Sequence, residues 1–172
     1  MILAPENVRT MARYNGWQNR QMKDALQGLG EAALVEERGA FFGSIMRTIN
    51  HLLWGDWLWM SRFDGGEGPP VEASGHDSLT PNLSEWAIER FKMDARILHW
   101  ADTRHSVDLT GDLTWYSGMA GQEMAKPLAL CVTHFFNHQT HHRGQIHAMA
   151  TAAGAQGWTS DLIFMPEEGP WV

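Results

Sequence analysis

Residues 137–149, NHQTHHRGQIHAM, carry four histidines: His138, His141, His142 and His147. Imidazole titrates close to neutral pH and ligates transition metals, so what matters is which of these rings share a face. Unrolled as a helix at about 100° per residue, with His138 at zero, His142 lies at about 40°. Cys131 and Met149 then fall at about 20°, Phe135 at about 60° and Ile146 at about 80°, which places both rings in an apolar stripe. His147 falls at about 180°, on the opposite side, while His134 and His141 sit on the flank away from the stripe.

Side chains four residues apart on a helix stack about 5 to 6 Å apart, close enough for two imidazoles to reach one metal ion. Spacing alone also admits two buried histidines hydrogen-bonded to polar neighbours. His134 with His138 is a second pair of this kind, but its face is bounded by Pro127, Gln145 and Ala152 and is less apolar. A third ligand is available in INHLLWGDWLWM, where His51 has Ser44, Thr48, Gly55 and Leu58 on the adjoining turns. Small residues there leave room for an ion, a water or a substrate. Three buried imidazoles with no shared partner would be costly to desolvate, so the set His51, His138 and His142 favours a metal site. Cys131 shares the stripe but lies about 10 Å along the axis from His138, too far for the same ion, and reads as a small buried hydrophobe. Gln145, about 20° from His138, is a candidate to support a ligand or bind substrate, and equally an amide at the stripe's edge. Arg143 points away from the stripe, towards packing, an ion pair or a dimer rather than the metal.

These rings need long helices to carry them. Pro5 and Glu6 suit a first turn, and apolar positions from Val8 to Leu29 follow a helical period that ends at Gly28 or Gly30. A second helix is predicted over 41–63, followed by the Gly/Pro-rich loop DGGEGPPVEASGHDS. Thr80 and Pro81 read as the cap and first position of a third helix reaching Thr103. Residues 106–118 suggest a short β-hairpin turning at Gly111-Asp112. Pro127 opens the last helix, which Gly154 ends, and the tail GWTSDLIFMPEEGPWV reads as a docked coil. The expectation is an all-α fold, a four-helix bundle with a short hairpin insertion before the last long helix, as one domain over 1–172.

Composition narrows the function. The net charge is −7 with no Lys/Arg run, which argues against a nucleic-acid partner. No apolar stretch reaches the roughly 18 to 20 residues of a membrane span, the N-terminus turns polar too early for a signal peptide, and the single cysteine fits a reducing, cytoplasmic setting. Nine tryptophans point to large core and interface anchors. The second helix is apolar around most of its circumference, with Ile45, Ile49, Leu53, Trp57 and Met60 beside the His51 side, and this predicts a homodimer.

Three stretches, ARYNGWQNRQM, INHLLWGDWLWM and HFFNHQTHHRGQIHAM, together with the closing SDLIFM, resemble the DinB-like (YfiT-like) family of metal-dependent proteins. The resemblance spans nearly the whole chain. It implies an up-down-down-up bundle, usually dimeric, and a divalent metal, typically nickel or zinc, held by three histidines that match His51, His138 and His142. Some relatives are thiol-dependent isomerases or S-transferases, which implies a low-molecular-weight thiol as a possible cosubstrate. Two functions follow: a metal-dependent enzyme activating a thiol or water towards a small electrophile, or a non-enzymatic metal-binding stress-response module. Haem binding is a third, disfavoured because three histidines converge where one or two axial ligands would serve.

Overall fold

The computed structural model describes residues 2–172 and is mostly helical, with one small two-stranded sheet. Helix α1 spans Pro5–Gln27, with Pro5 in its first turn and Glu6 complementing the dipole. A short α2, Glu31–Val35, follows; nothing in the hydrophobic period announced so brief an element. Helix α3 spans Ile45–Asp64 and starts four residues later than expected. Gly43 has a φ of 79°, a left-handed conformation that interrupts any helix, and the Ser44 side chain then caps by accepting from the Arg47 amide. Phe41 and Phe42 therefore lie in a tight turn, closed by the Gly43 amide donating to the Ala40 carbonyl.

Helix α4 spans Leu83–Asp102. Its cap is Asn82, whose side chain accepts from the Glu85 amide, and not Thr80. Thr80 is engaged elsewhere: its amide and hydroxyl both donate to Asn50 Oδ1, and its carbonyl accepts from Asn50 Nδ2. The hairpin exists but is shifted. Strands β1, Asp112–Ser117, and β2, Gln122–Pro127, pair antiparallel with Trp115 opposite Met124. Gly111, at a φ of 78°, steers the chain into β1, and the reversal is made by residues 118–121. Helix α5, Leu128–Ala152, follows directly.

Helix α1 packs on α4 and α5, α3 packs on α4 and α5, and the hairpin lies against α3 and α5. The core they enclose includes Trp86, Phe135, Met22, Leu26, Ile97 and Ile146. Trp86 is fully buried, and its indole N–H donates to the Ile49 carbonyl at 3.0 Å, which removes the penalty of burying it. Ile45, Ile49, Leu53 and Met60 are all enclosed by the chain itself and Trp57 is half-buried, so these five residues offer little apolar surface to a partner. No helix of the described residues is long and apolar enough to cross a membrane.

A buried polar layer crosses this core. Arg90 on α4 lies 2.6 Å from Asp56 on α3 and 2.8 Å from Asp94 one turn along its own helix. Asn15 and Asn19 of α1 donate to Asp94, Gln139 of α5 donates to Asp56, and Arg143 of α5 donates to Asn15. Burial pushes the Asp94 carboxyl up to about 6 although Arg90 and Asn19 oppose the shift. It pulls Arg143 down to about 10. Asn19 Oδ1, Arg90 Nε, Gln139 Oε1 and Arg143 Nη2 find no partner in the protein, yet two guanidiniums face two carboxylates and the charges match.

Candidate metal centre

Helices α3 and α5 lie side by side, so the apolar stripe of α5 turns His138 and His142 towards His51. One potential ligand nitrogen from each of the three rings lies within 4.8 Å of the others. His51 Nε2 and His138 Nε2 are 3.3 Å apart. Two metal–nitrogen bonds of the usual length at a tetrahedral angle would hold their nitrogens about 3.4 Å apart, so this spacing fits a shared ion. Gly55, one turn after His51, makes the approach possible: a Cβ there would lie 3.0 Å from His138 Cε1. The small residue beside His51 leaves its space to an imidazole.

The electrostatics favour the form that binds metal. Burial holds His51 down to about 3, with further repulsion from His142 and His76 and a smaller opposing pull from Asp77. Burial likewise holds His138 down to about 3, helped by His142, His51, His134 and His141. His142 is lowered by burial although its contact with Gln145 opposes the shift. At neutral pH these rings are uncharged and carry free lone pairs. His138 Nδ1 is buried without any partner, whereas the other two rings are held from behind. His142 Nδ1 lies 2.8 Å from Gln145 Oε1, a contact that holds the ring. His51 Nδ1 lies 3.0 Å from His76 Nδ1.

His76 was not anticipated, because it sits in a Gly-rich loop without periodicity; a histidine in such a stretch was the one available hint. The loop is fixed on both sides of it. Arg47 Nε donates to Asp77 at 2.7 Å, the Asn50–Thr80 contacts follow, and the indoles of Trp54 and Trp57 donate to the Val71 and Glu67 carbonyls. Phe42 was also missed: its ring lies over His51 at 4.0 Å between centroids and an angle of 31°. Predicting a helix from Phe41 concealed that turn.

The remaining histidines separate as the wheel suggested. His134 is exposed and lies 5.9 Å from His138, His141 is exposed against His142 at 4.9 Å, and His147 stacks on Trp158 at 4.2 Å, away from the centre. Cys131 is a buried free thiol whose ionisation burial discourages. Arg143 belongs to the polar layer and lies over the Tyr14 ring. A cavity of about 610 Å³ between α1 and α4, lined by Trp86, Ile88 and Phe91 among others, has no histidine in its wall and takes no part in the centre.

The DinB family model matches residues 5–168, nearly the whole chain. The chain belongs to the DinB family. No curated protein matches it.

Proposed function

We propose that this protein is a metal-dependent enzyme in which His51, His138 and His142 hold one divalent transition-metal ion, nickel or zinc, and that it activates a thiol or water towards a small electrophile. The observation that supports this most is the convergence of three imidazole nitrogens within 4.8 Å, on two half-buried rings and one buried ring. Neutral nitrogen ligands alone suit an intermediate transition metal better than calcium or magnesium, which prefer oxygen. Three protein ligands leave coordination positions open, as catalytic sites do. A divalent ion so held would lower the pKa of a coordinated water towards 7 or deprotonate a coordinated thiol.

The protein's own residues do the rest. Gln145 fixes the ring orientation of His142 and His76 that of His51, so their outer nitrogens are engaged and their inner nitrogens stay available. Phe42 covers one face of His51 and limits solvent on that side. Helices α1, α3, α4 and α5 read as an up-down-down-up four-helix bundle. The chain also reads as a cytoplasmic homodimer.

The test joins metal content to turnover. Purified protein should contain about one transition-metal ion per chain and should consume a cellular thiol with a model electrophile faster than the His51→Ala variant. Bound metal with both proteins at the uncatalysed rate, across the common cellular thiols and in hydrolysis of model esters, would favour the non-enzymatic metal-binding module.

A further inference from the structure

Beside the histidines lies a cation that rests on two indole rings and has no counter-ion among the described residues. Arg62 is half-buried near the C-terminal end of α3, with its guanidinium carbon 4.6 Å from the centroid of the Trp59 ring and 5.2 Å from that of Trp115 on β1. Among the described residues it is the one arginine that forms neither a hydrogen bond nor an ion pair; every other arginine meets a carboxylate, a carbonyl or a side-chain oxygen. That is unexpected in a chain carrying 20 acidic residues against 13 basic ones. Its partial desolvation goes without a counter-ion, and burial lowers its pKa. Resting on two indoles leaves a guanidinium's N–H edge free, and that planar fork matches a carboxylate's two oxygens.

The position is as specific as the chemistry. Arg62 lies eleven residues after His51, about 20° from it around the helix, and hence on the same face. It lies seven residues, about 10 Å along the axis, beyond Gly55, which touches His138. Helical side chains lean towards the N-terminus, which carries the guanidinium back towards the imidazoles. Rings bridge the interval: Trp59 meets His134 at 5.2 Å, and His134 meets His138 at 5.9 Å.

We infer that Arg62, seated on Trp59 and Trp115 beside His134, receives the carboxylate of an elongated substrate or thiol cosubstrate whose other end reaches His51, His138 and His142. The proposed function supplies only the destination of that other end; the carboxylate contact stands on Arg62 itself. The substrate class is therefore an elongated carboxylate whose reacting atom lies at most about 10 Å from it, the axial rise from Gly55 to Arg62 that the lean of the side chain shortens.

The probes are 8-mercaptooctanoate and its neutral counterpart 8-mercapto-1-octanol, titrated into the metal-loaded protein while tryptophan fluorescence is followed. A charge-assisted, two-pronged contact predicts that the carboxylate binds about tenfold tighter than the alcohol. Arg62→Gln should erase that preference without changing affinity for the alcohol, metal content or helical signal, and Arg62→Lys should retain part of it. Equal affinities in the unaltered protein, or a preference that survives Arg62→Gln, would overturn the inference. So would an Arg62→Gln variant that only melts at lower temperature, because that is a packing role. Cobalt-substituted protein separates the two readings. A thiolate absorption band with both probes and no effect of Arg62→Gln supports the metal site and removes the carboxylate site. A fluorescence preference that depends on Arg62, with no such band, does the reverse.

Discussion

Between α3 and α4 a guanidinium meets two carboxylates, while between α3 and α5 three imidazoles face one another, backed by Gln145, His76 and Phe42. Gln139 belongs to the first group and its neighbour His138 to the second, so the two lie back to back on adjacent residues. In the first, opposite charges from α3, α4 and α5 balance, and amides of α1 and α5 bond to them, although Asn19 Oδ1, Arg90 Nε, Gln139 Oε1 and Arg143 Nη2 stay unpaired. In the second, like groups oppose one another's protonation, and His138 Nδ1 is left buried and alone. A polar group whose charges balance within the chain specifies how helices register. One that gathers like groups and leaves them incomplete is waiting for something from outside.

The sharpest way to test this division is to break the charge-balanced layer. Asp56→Ala would leave Arg90 short of a carboxylate and Gln139 without its acceptor, and should cost about 3 to 5 kcal/mol in a urea titration. Loss of under about 1 kcal/mol would mean that the layer does not set register. The open group should respond in the opposite sense. His138→Ala should abolish most metal binding, measured by elemental analysis after gel filtration, while lowering the stability of the metal-free chain far less than Asp56→Ala does. His147→Ala, on the far side of α5, should keep the metal.

Acid distinguishes the two groups next. His51 and His138 are held at about 3 in the folded chain, against an unfolded value of about 6.5. Between these limits the unfolded chain binds more protons, so the stability their burial permits is present above about 6.5 and is lost as pH falls towards 3. Asp94, raised to about 6, acts in the opposite sense between its unfolded value and 6. Burial raises Asp56 as it does Asp94 and lowers His142 and His134 as it does His51 and His138, so four imidazoles outweigh two carboxyls and metal-free protein should lose denaturation midpoint steadily below about pH 6.5. A flat profile would contradict that balance. The smallest effect belongs to support from behind: Gln145→Leu should weaken metal affinity about tenfold by competition with a chelator, without a change in unfolding midpoint.

How much of this could be read from residues alone divides along the same line. Periodicity located the long helices and ranked His138 and His142 above His134, His141 and His147, because a 3.6-residue repeat carries which side faces the core. It could not locate their boundaries, which depend on individual backbone conformations: Gly43 and Ser44 displaced the start of α3, and Asn82 took the cap from Thr80. Asp56, Arg90 and Asp94 each look like a surface charge in sequence, and only the meeting of four helices makes them a layer. His76, Phe42 and Arg62 owe their positions to contacts across long stretches of chain, which no local pattern encodes. The hairpin was recognised by its residue types but misplaced, since Gly111 serves as an entry bend where a turn was expected.

The contacts between Asn50 and Thr80 carry a dynamic consequence. Residues 65–82 contain one short 3₁₀ turn and no other regular structure, so most of their backbone amides should exchange hydrogen with water almost freely. The Thr80 amide is different: it is buried and donates to the side chain of Asn50 on α3 at 3.0 Å, one residue before His51. Its exchange therefore requires the loop to detach from α3, which would also release His76 from His51. A single slowly exchanging proton at Thr80 would report how often the support behind His51 lets go.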